Sequence, residues 1–188
     1  TMKVLGLDPG SRRTGYGVVE REGNAFRVLA HGVFAPPPRL DLAHRLHAIV
    51  TRAGEVMDAQ RPDAVVVEEA FYHESVRSTL VLGHVRGALL VAAVERGIAL
   101  AEYTPREIKL SVTGTGAASK EQVTFMVRRI AGLQGKLAPD AADALAAAIC
   151  HLQRAGRIEP ARAVSAATRG LEALLPPMLR VGARRGRR

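Results

Sequence analysis

The chain has 188 residues, 47% of them hydrophobic, which suffices to bury the core of one domain of ordinary size. Its formal charge of +9 favours a polyanionic partner, but Arg180, Arg184, Arg185, Arg187 and Arg188 supply five of those nine units, so the body of the chain is only mildly basic and a solvated tail is the plain alternative. No apolar run reaches the roughly 20 residues of a membrane span, the N-terminus carries no signal-peptide pattern, and the lone Cys150 excludes an internal disulfide, so a reducing, cytoplasmic setting is expected.

Lys3 to Asp8 is a short apolar run ending in an acid followed by Pro-Gly, and it reads as a buried strand. Thr14 to Glu22 and Phe26 to Phe34 read as two more strands joined at the hairpin signal Gly23-Asn24. Pro36-Pro37-Pro38 then breaks the chain before a helical pattern over Leu40 to Gln60. Ala64 to Val67 is β-branched and apolar, a central strand ending at Glu68-Glu69. A long helix fits Val76 to Arg96, a short strand Ile98 to Tyr103, and a short helix Arg106 to Val112 behind Pro105. Beyond the flexible Gly114-Thr115-Gly116, helices fit Lys120 to Ala131 and Asp140 to Arg154, with Cys150 as a small core residue of the last. Three meandering strands followed by alternation predict an α/β domain with a mixed sheet, here residues 1–154. Residues 155–188, rich in Gly, Pro, Ala and Arg, read as a mobile basic tail.

Four acids stand out against this frame. Asp8 and Glu68 each close an apolar strand, and Asp140 and Asp143 lie three apart on an otherwise apolar helix, where they share a face. Each has an ordinary alternative: a turn for Asp8, a solvent-reaching strand end for Glu68, and helix capping for Asp140 with Asp143 in the first turn. Taken together they describe a cluster of negative charge in a largely buried place, which is costly unless cations neutralise it. Hard cations such as Mg²⁺ or Mn²⁺ suit an all-carboxylate site, and two of them about 4 Å apart are suited to phosphodiester hydrolysis. His44 and His47 have no evident partner ligands nearby and read as surface or packing residues.

At these positions the sequence closely resembles the RuvC family of Holliday-junction resolvases. The resemblance is carried by Gly6-Leu7-Asp8-Pro9-Gly10-Ser11 through Thr14-Gly15-Tyr16-Gly17, by Val67-Glu68-Glu69-Ala70-Phe71, and by Leu82-Gly83-His84-Val85-Arg86-Gly87. It continues through Arg106-Glu107-Ile108-Lys109, Gly114-Thr115-Gly116 with Lys120, and Asp140-Ala141-Ala142-Asp143-Ala144-Leu145-Ala146 with His151 on the same helix. The ordered set spans roughly residues 3–152. It implies an RNase H-like fold, a mixed five-stranded sheet with helices on both faces. It also implies two divalent metal ions per active site and a homodimer that nicks four-way junction DNA symmetrically in recombination and repair, alongside the RuvA–RuvB branch-migration complex. Asp8, Glu68, Asp140 and Asp143 match the family's metal-binding carboxylates. Phe71 matches an aromatic residue that stacks on a base near the cut, and Lys109 and Lys120 match lysines beside the scissile phosphate.

Other readings of the residues sit beside that resemblance. Phe71 is otherwise a core phenylalanine, and Tyr72 can share either role. Ser75, Arg77 and Arg86 flank or lie on the long helix and can reach phosphates, although exposed arginines are usually only solvated. Of 27 basic residues only Lys3, Lys109, Lys120 and Lys136 are lysines, and two of these four fall at the family's DNA positions. Gly83 and Gly87, four apart, permit close helix–helix approach, either in a dimer or against the chain's own sheet. A two-fold symmetric junction needs two cuts and one chain carries one carboxylate cluster, which is a separate reason to expect a homodimer. The rivals are a phosphate-binding protein of the actin and sugar-kinase type, which usually needs two such domains and so a longer chain than this one, and an inert binder of branched DNA. A nuclease of the same fold acting on RNA or other branched structures is a third.

Overall fold

The computed structural model describes residues 1–69 and 75–155. Phe71, Tyr72 and all of the expected 155–188 tail except Ala155 lie outside the described residues. Three strands come first: β1 (Met2–Asp8), β2 (Thr14–Glu22) and β3 (Ala25–Phe34). Then follow α1 (Leu42–Gln60), β4 (Ala64–Glu68), α2 (Val76–Glu95), β5 (Ala99–Tyr103), α3 (Pro105–Thr113), α4 (Lys120–Ile130) and α5 (Pro139–Ala155). The sheet order is β3-β2-β1-β4-β5. The hairpin-linked strands pair antiparallel, whereas β1–β4 and β4–β5 pair parallel, as strands reached through helical crossovers must.

Strand parity divides the core in two. Val4 of β1 and Ala64 and Val66 of β4 face α3, α4 and α5, among them Leu145, Ile149, Val123 and Val127. Their neighbours Leu5, Leu7, Val65 and Val67 face α1 and α2, against Ile49, Met57, Val85 and Leu89. Residues two apart share a face, so Asp8 and Glu68 belong to the α5 side. The register pairs Leu7 with Val67, which makes Asp8 and Glu68 the next neighbours along two adjacent parallel strands.

Helix α5 lies unusually close to the sheet, and two glycines allow it. A Cβ on Gly6 would stand 1.9 Å from the carbonyl oxygen of Ala144, and one on Gly15 would stand 1.9 Å from that of Asp140. The facing surface of α5 is correspondingly small, with Ala141, Ala144 and Ala148 fully buried. The helix begins one residue earlier than the spacing of its acids suggests. Pro139 takes the first position, where its missing N–H is no loss, and the N–H of Ala142 donates to the carbonyl of Ala138 at 2.9 Å. Asp140 is therefore in the first turn and is not the cap.

Helices α3 and α4 carry complete capping boxes, Thr104 with Glu107 and Ser119 with Gln122. Helix α2 buries Val85, Leu89, Ala92 and Ala93 and leaves Val76, Leu80, Val91 and Val94 exposed. A Cβ on Gly83 or Gly87 would meet nothing within 4 Å, so neither glycine packs on the chain's own sheet. Although Arg86 interrupts its apolar run, α2 is long and apolar enough to cross a membrane by length and composition alone.

Candidate active site

The ends of β1 and β4 open into a groove of about 820 Å³ between the two helical layers. Asp8, Glu68 and Asp143 line it. Glycine-permitted approach of α5 is what brings Asp143 beside the two strand ends. Burial, helped by Asp143, Glu68 and Asp140, pushes the Asp8 carboxyl up to about 8. Burial also raises Glu68, with Asp143 adding to it and Lys120 and Lys109 opposing. Asp143 is raised by burial against the pull of Lys120, whose Nζ lies 3.7 Å from Asp143 Oδ2.

The fourth acid is engaged elsewhere. Arg13, from the turn after β1, donates through Nε to Asp140 Oδ2 at 2.7 Å. Among the described residues no three histidine, cysteine or carboxylate side chains close into a ready-made ligand set. The carboxylates repel one another, and Asp140 turns to Arg13 while Asp143 turns to Lys120. The donor set is nevertheless all hard oxygen, half-buried and mutually repelling. That is the chemistry Mg²⁺ or Mn²⁺ fits.

The basic residues form two walls. Lys109 of α3 and Lys120, the first residue of α4, stand on one side. A lysine at a helix N-terminus opposes the helix dipole, so Lys120 is not there to stabilise α4. Lys109 is held in place because α3 is bolted to α5: Arg154 pairs with Glu107 at 2.8 Å, and Ser111 Oγ donates to Gln153 Oε1 at 2.5 Å. On the other side stand Arg12, Arg45, Arg77 and Ser78.

Of the residues singled out from sequence, Asp8, Glu68, Asp143, Lys109, Lys120 and Arg77 therefore border one groove, with Asp140 next to it through Asp143. Arg86 does not. Its guanidinium donates to Glu102 of β5, and it is not among the residues that line the groove. His44 pairs with Asp41 on the surface at 2.8 Å. Arg12, Arg13 and Arg45 were not legible as site residues. For Arg12 and Arg13 the signal was a double arginine in the turn directly after Asp8-Pro9-Gly10. For Arg45 it was a charged residue on the apolar stripe of α1.

Comparison with known proteins bears directly on this groove. A family model described as crossover junction endodeoxyribonuclease RuvC matches residues 4–151. The chain belongs to the RuvC family. A RuvC of Bordetella avium (strain 197N) is 51% identical over 150 residues, covering 80% of this chain and 83% of the relative. One from Caulobacter sp. (strain K31) is 47% identical over 150 residues, covering 80% and 89%. Among solved structures, Thermus thermophilus RuvC in complex with a Holliday junction substrate superposes with a TM-score of 0.78 at 38% identity, covering 82% of this chain and 95% of that one. The yeast mitochondrial Holliday junction resolvase Ydc2, at 13% identity and a TM-score of 0.58, shares the fold. The fold is thus the RNase H-like one, and the chain is an endodeoxyribonuclease of the RuvC type.

Proposed function

We propose that this enzyme resolves four-way DNA junctions by metal-dependent phosphodiester hydrolysis at the carboxylate groove, acting as a homodimer in recombination and repair. The observation that carries the proposal is the acidic floor between two basic walls. Buried, repelling carboxylates are held at the ends of β1, β4 and the start of α5, where they serve no evident stabilising purpose. In this reading Asp8, Glu68, Asp140 and Asp143 hold two Mg²⁺ or Mn²⁺ ions, with Asp140 exchanging Arg13 for metal. Bound there, such ions would supply an activated water and stabilise the departing oxygen. Lys109 and Lys120 neutralise the phosphate from one side, and Arg77 contacts the strand from the other. Phe71, three residues beyond Glu68 in the sequence, with Tyr72 next to it in the chain, would supply an aromatic ring on which a base can stack, worth roughly 1–3 kcal/mol.

The second copy is assigned to α2. Leu80, Gly83, Gly87, Val91 and Val94 recur at three- and four-residue intervals on the face turned from the sheet, an apolar stripe with no covering element among the described residues. The N-terminal end of the same helix lines the groove through Arg77, Ser78, Val81 and Leu82, so dimerisation there would set the spacing of the two cuts. A cytoplasmic setting and partnership with RuvA–RuvB belong to the same reading.

A synthetic mobile four-way junction, a matched linear duplex and an RNA–DNA hybrid, each with Mg²⁺, Mn²⁺ or chelator, test it. Paired nicks at symmetric positions in the junction, absent from the other substrates and from chelator, are expected. Cutting of the hybrid in preference to the junction would refute the assignment.

A further inference from the structure

Arg45 is the fourth residue of α1, and it heads the column whose later members at four-residue intervals, Ile49, Ala53 and Met57, are essentially fully buried. A guanidinium at the core-facing start of a helix is an electrostatic mismatch, because the helix dipole already places positive charge there. Nothing among the described residues corrects it. The Nε of Arg45 is buried without a hydrogen-bond partner, and among the described residues no carboxylate pairs with its side chain. The acid one turn before it, Asp41, caps α1 and holds His44 instead. What Arg45 does border is the groove, on the wall facing Lys109 and Lys120. Arg12 and Arg77, which line the same groove, are exposed and open to solvent. Among the described residues of that wall, Arg45 alone keeps a buried donor without a partner, and an incoming acceptor can satisfy it.

We propose that Arg45 binds a backbone phosphate of the DNA strand, on the side of the groove away from the lysines. The strand is then held between two basic walls above the carboxylates. A buried N–H beside a delocalised charge matches the fork geometry of two phosphate oxygens, and a lysine cannot reproduce it. The assignment rests on the nuclease reading of the groove and goes beyond it in naming the strand's second anchor.

The test compares wild type with Arg45→Met, which keeps the aliphatic stem packed, and with Arg45→Lys. Junction binding is measured in chelator across a salt series, together with thermal unfolding without DNA. Loss of one phosphate contact should weaken binding about tenfold near 0.1 M salt and reduce the slope of log K against log salt by about one in Arg45→Met. Arg45→Lys should recover the slope but not the full affinity. The midpoint of unfolding should stay level or rise in Arg45→Met, since the guanidinium has no partner among the described residues to lose. An unchanged slope with a lowered midpoint would make Arg45 a structural residue and overturn the assignment. Wild type that neither binds nor cuts the junction would instead remove the nuclease reading itself, so the two failures are distinct.

Discussion

Asp8 is the last residue of a strand whose Val4, Leu5 and Leu7 have no solvent exposure, and its carboxyl is raised because burial and three nearby acids all oppose its charge. Removing that charge should relieve the metal-free protein. Asp8→Asn is expected to raise the unfolding midpoint in chelator by a few degrees, each kcal/mol being roughly 2–4 °C for a domain of this size. The same variant should keep junction binding and lose cleavage by more than about a hundredfold, the loss produced by residues that only orient a metal ligand. Cleavage near the wild-type rate would contradict the metal assignment. A second residue-scale prediction concerns the far end of α5. Tyr103 Oη lies 2.9 Å from His151 Nδ1 in a buried pair, and burial lowers the histidine below its usual 6.5. The unfolded chain therefore takes up the proton first, so stability is full above pH 6.5, declines as pH falls through that value, and levels once the folded histidine protonates. Denaturant unfolding of His151→Phe from pH 8 to 5 should show a flatter profile than wild type. An identical profile would assign the acid sensitivity to other groups.

The elements were largely legible as sequence because most of their signals are local. Alternating or continuous apolar residues marked the five strands, Pro36-Pro37-Pro38 closed off the hairpin, and Pro105 announced α3. Asp8 and Glu68 were visible because acids rarely close apolar strands, and strand parity then sets them on one face. What the pattern could not carry is the approach of α5. Gly6 and Gly15 read as ordinary strand glycines until the carbonyls of Ala144 and Asp140 are found where their side chains would be. Gly15→Ala should therefore push the start of α5 outward. It is expected to destabilise by about 1–3 kcal/mol as overpacking does and to suppress cleavage out of proportion, measured at a temperature where the variant is fully folded. Full activity in a folded Gly15→Ala chain would mean that the position of α5 is not what assembles the carboxylates. Arg86 shows the reverse limit. Its place on the long helix is visible in the sequence, but its ion-pair partner, Glu102, lies on a strand that local spacing does not connect to it.

At the scale of the whole molecule, the described residues form a carboxylate groove and a helix whose outer apolar stripe none of them covers. If α2 joins two copies, Val91→Glu should yield a folded monomer by sedimentation and uncouple the two nicks, because Val91 is 57% exposed and leaves the chain's own core intact. A Val91→Glu chain that remains dimeric would place the interface elsewhere. The central claim remains that the buried acids exist to hold cations, and calorimetric titration of Mn²⁺ into wild type, Asp8→Asn and Glu68→Gln tests it most directly. The account predicts two ions per wild-type chain and loss of that uptake in both variants while their circular dichroism stays native. Equal uptake by all three proteins, or none by wild type at millimolar Mn²⁺, would contradict it.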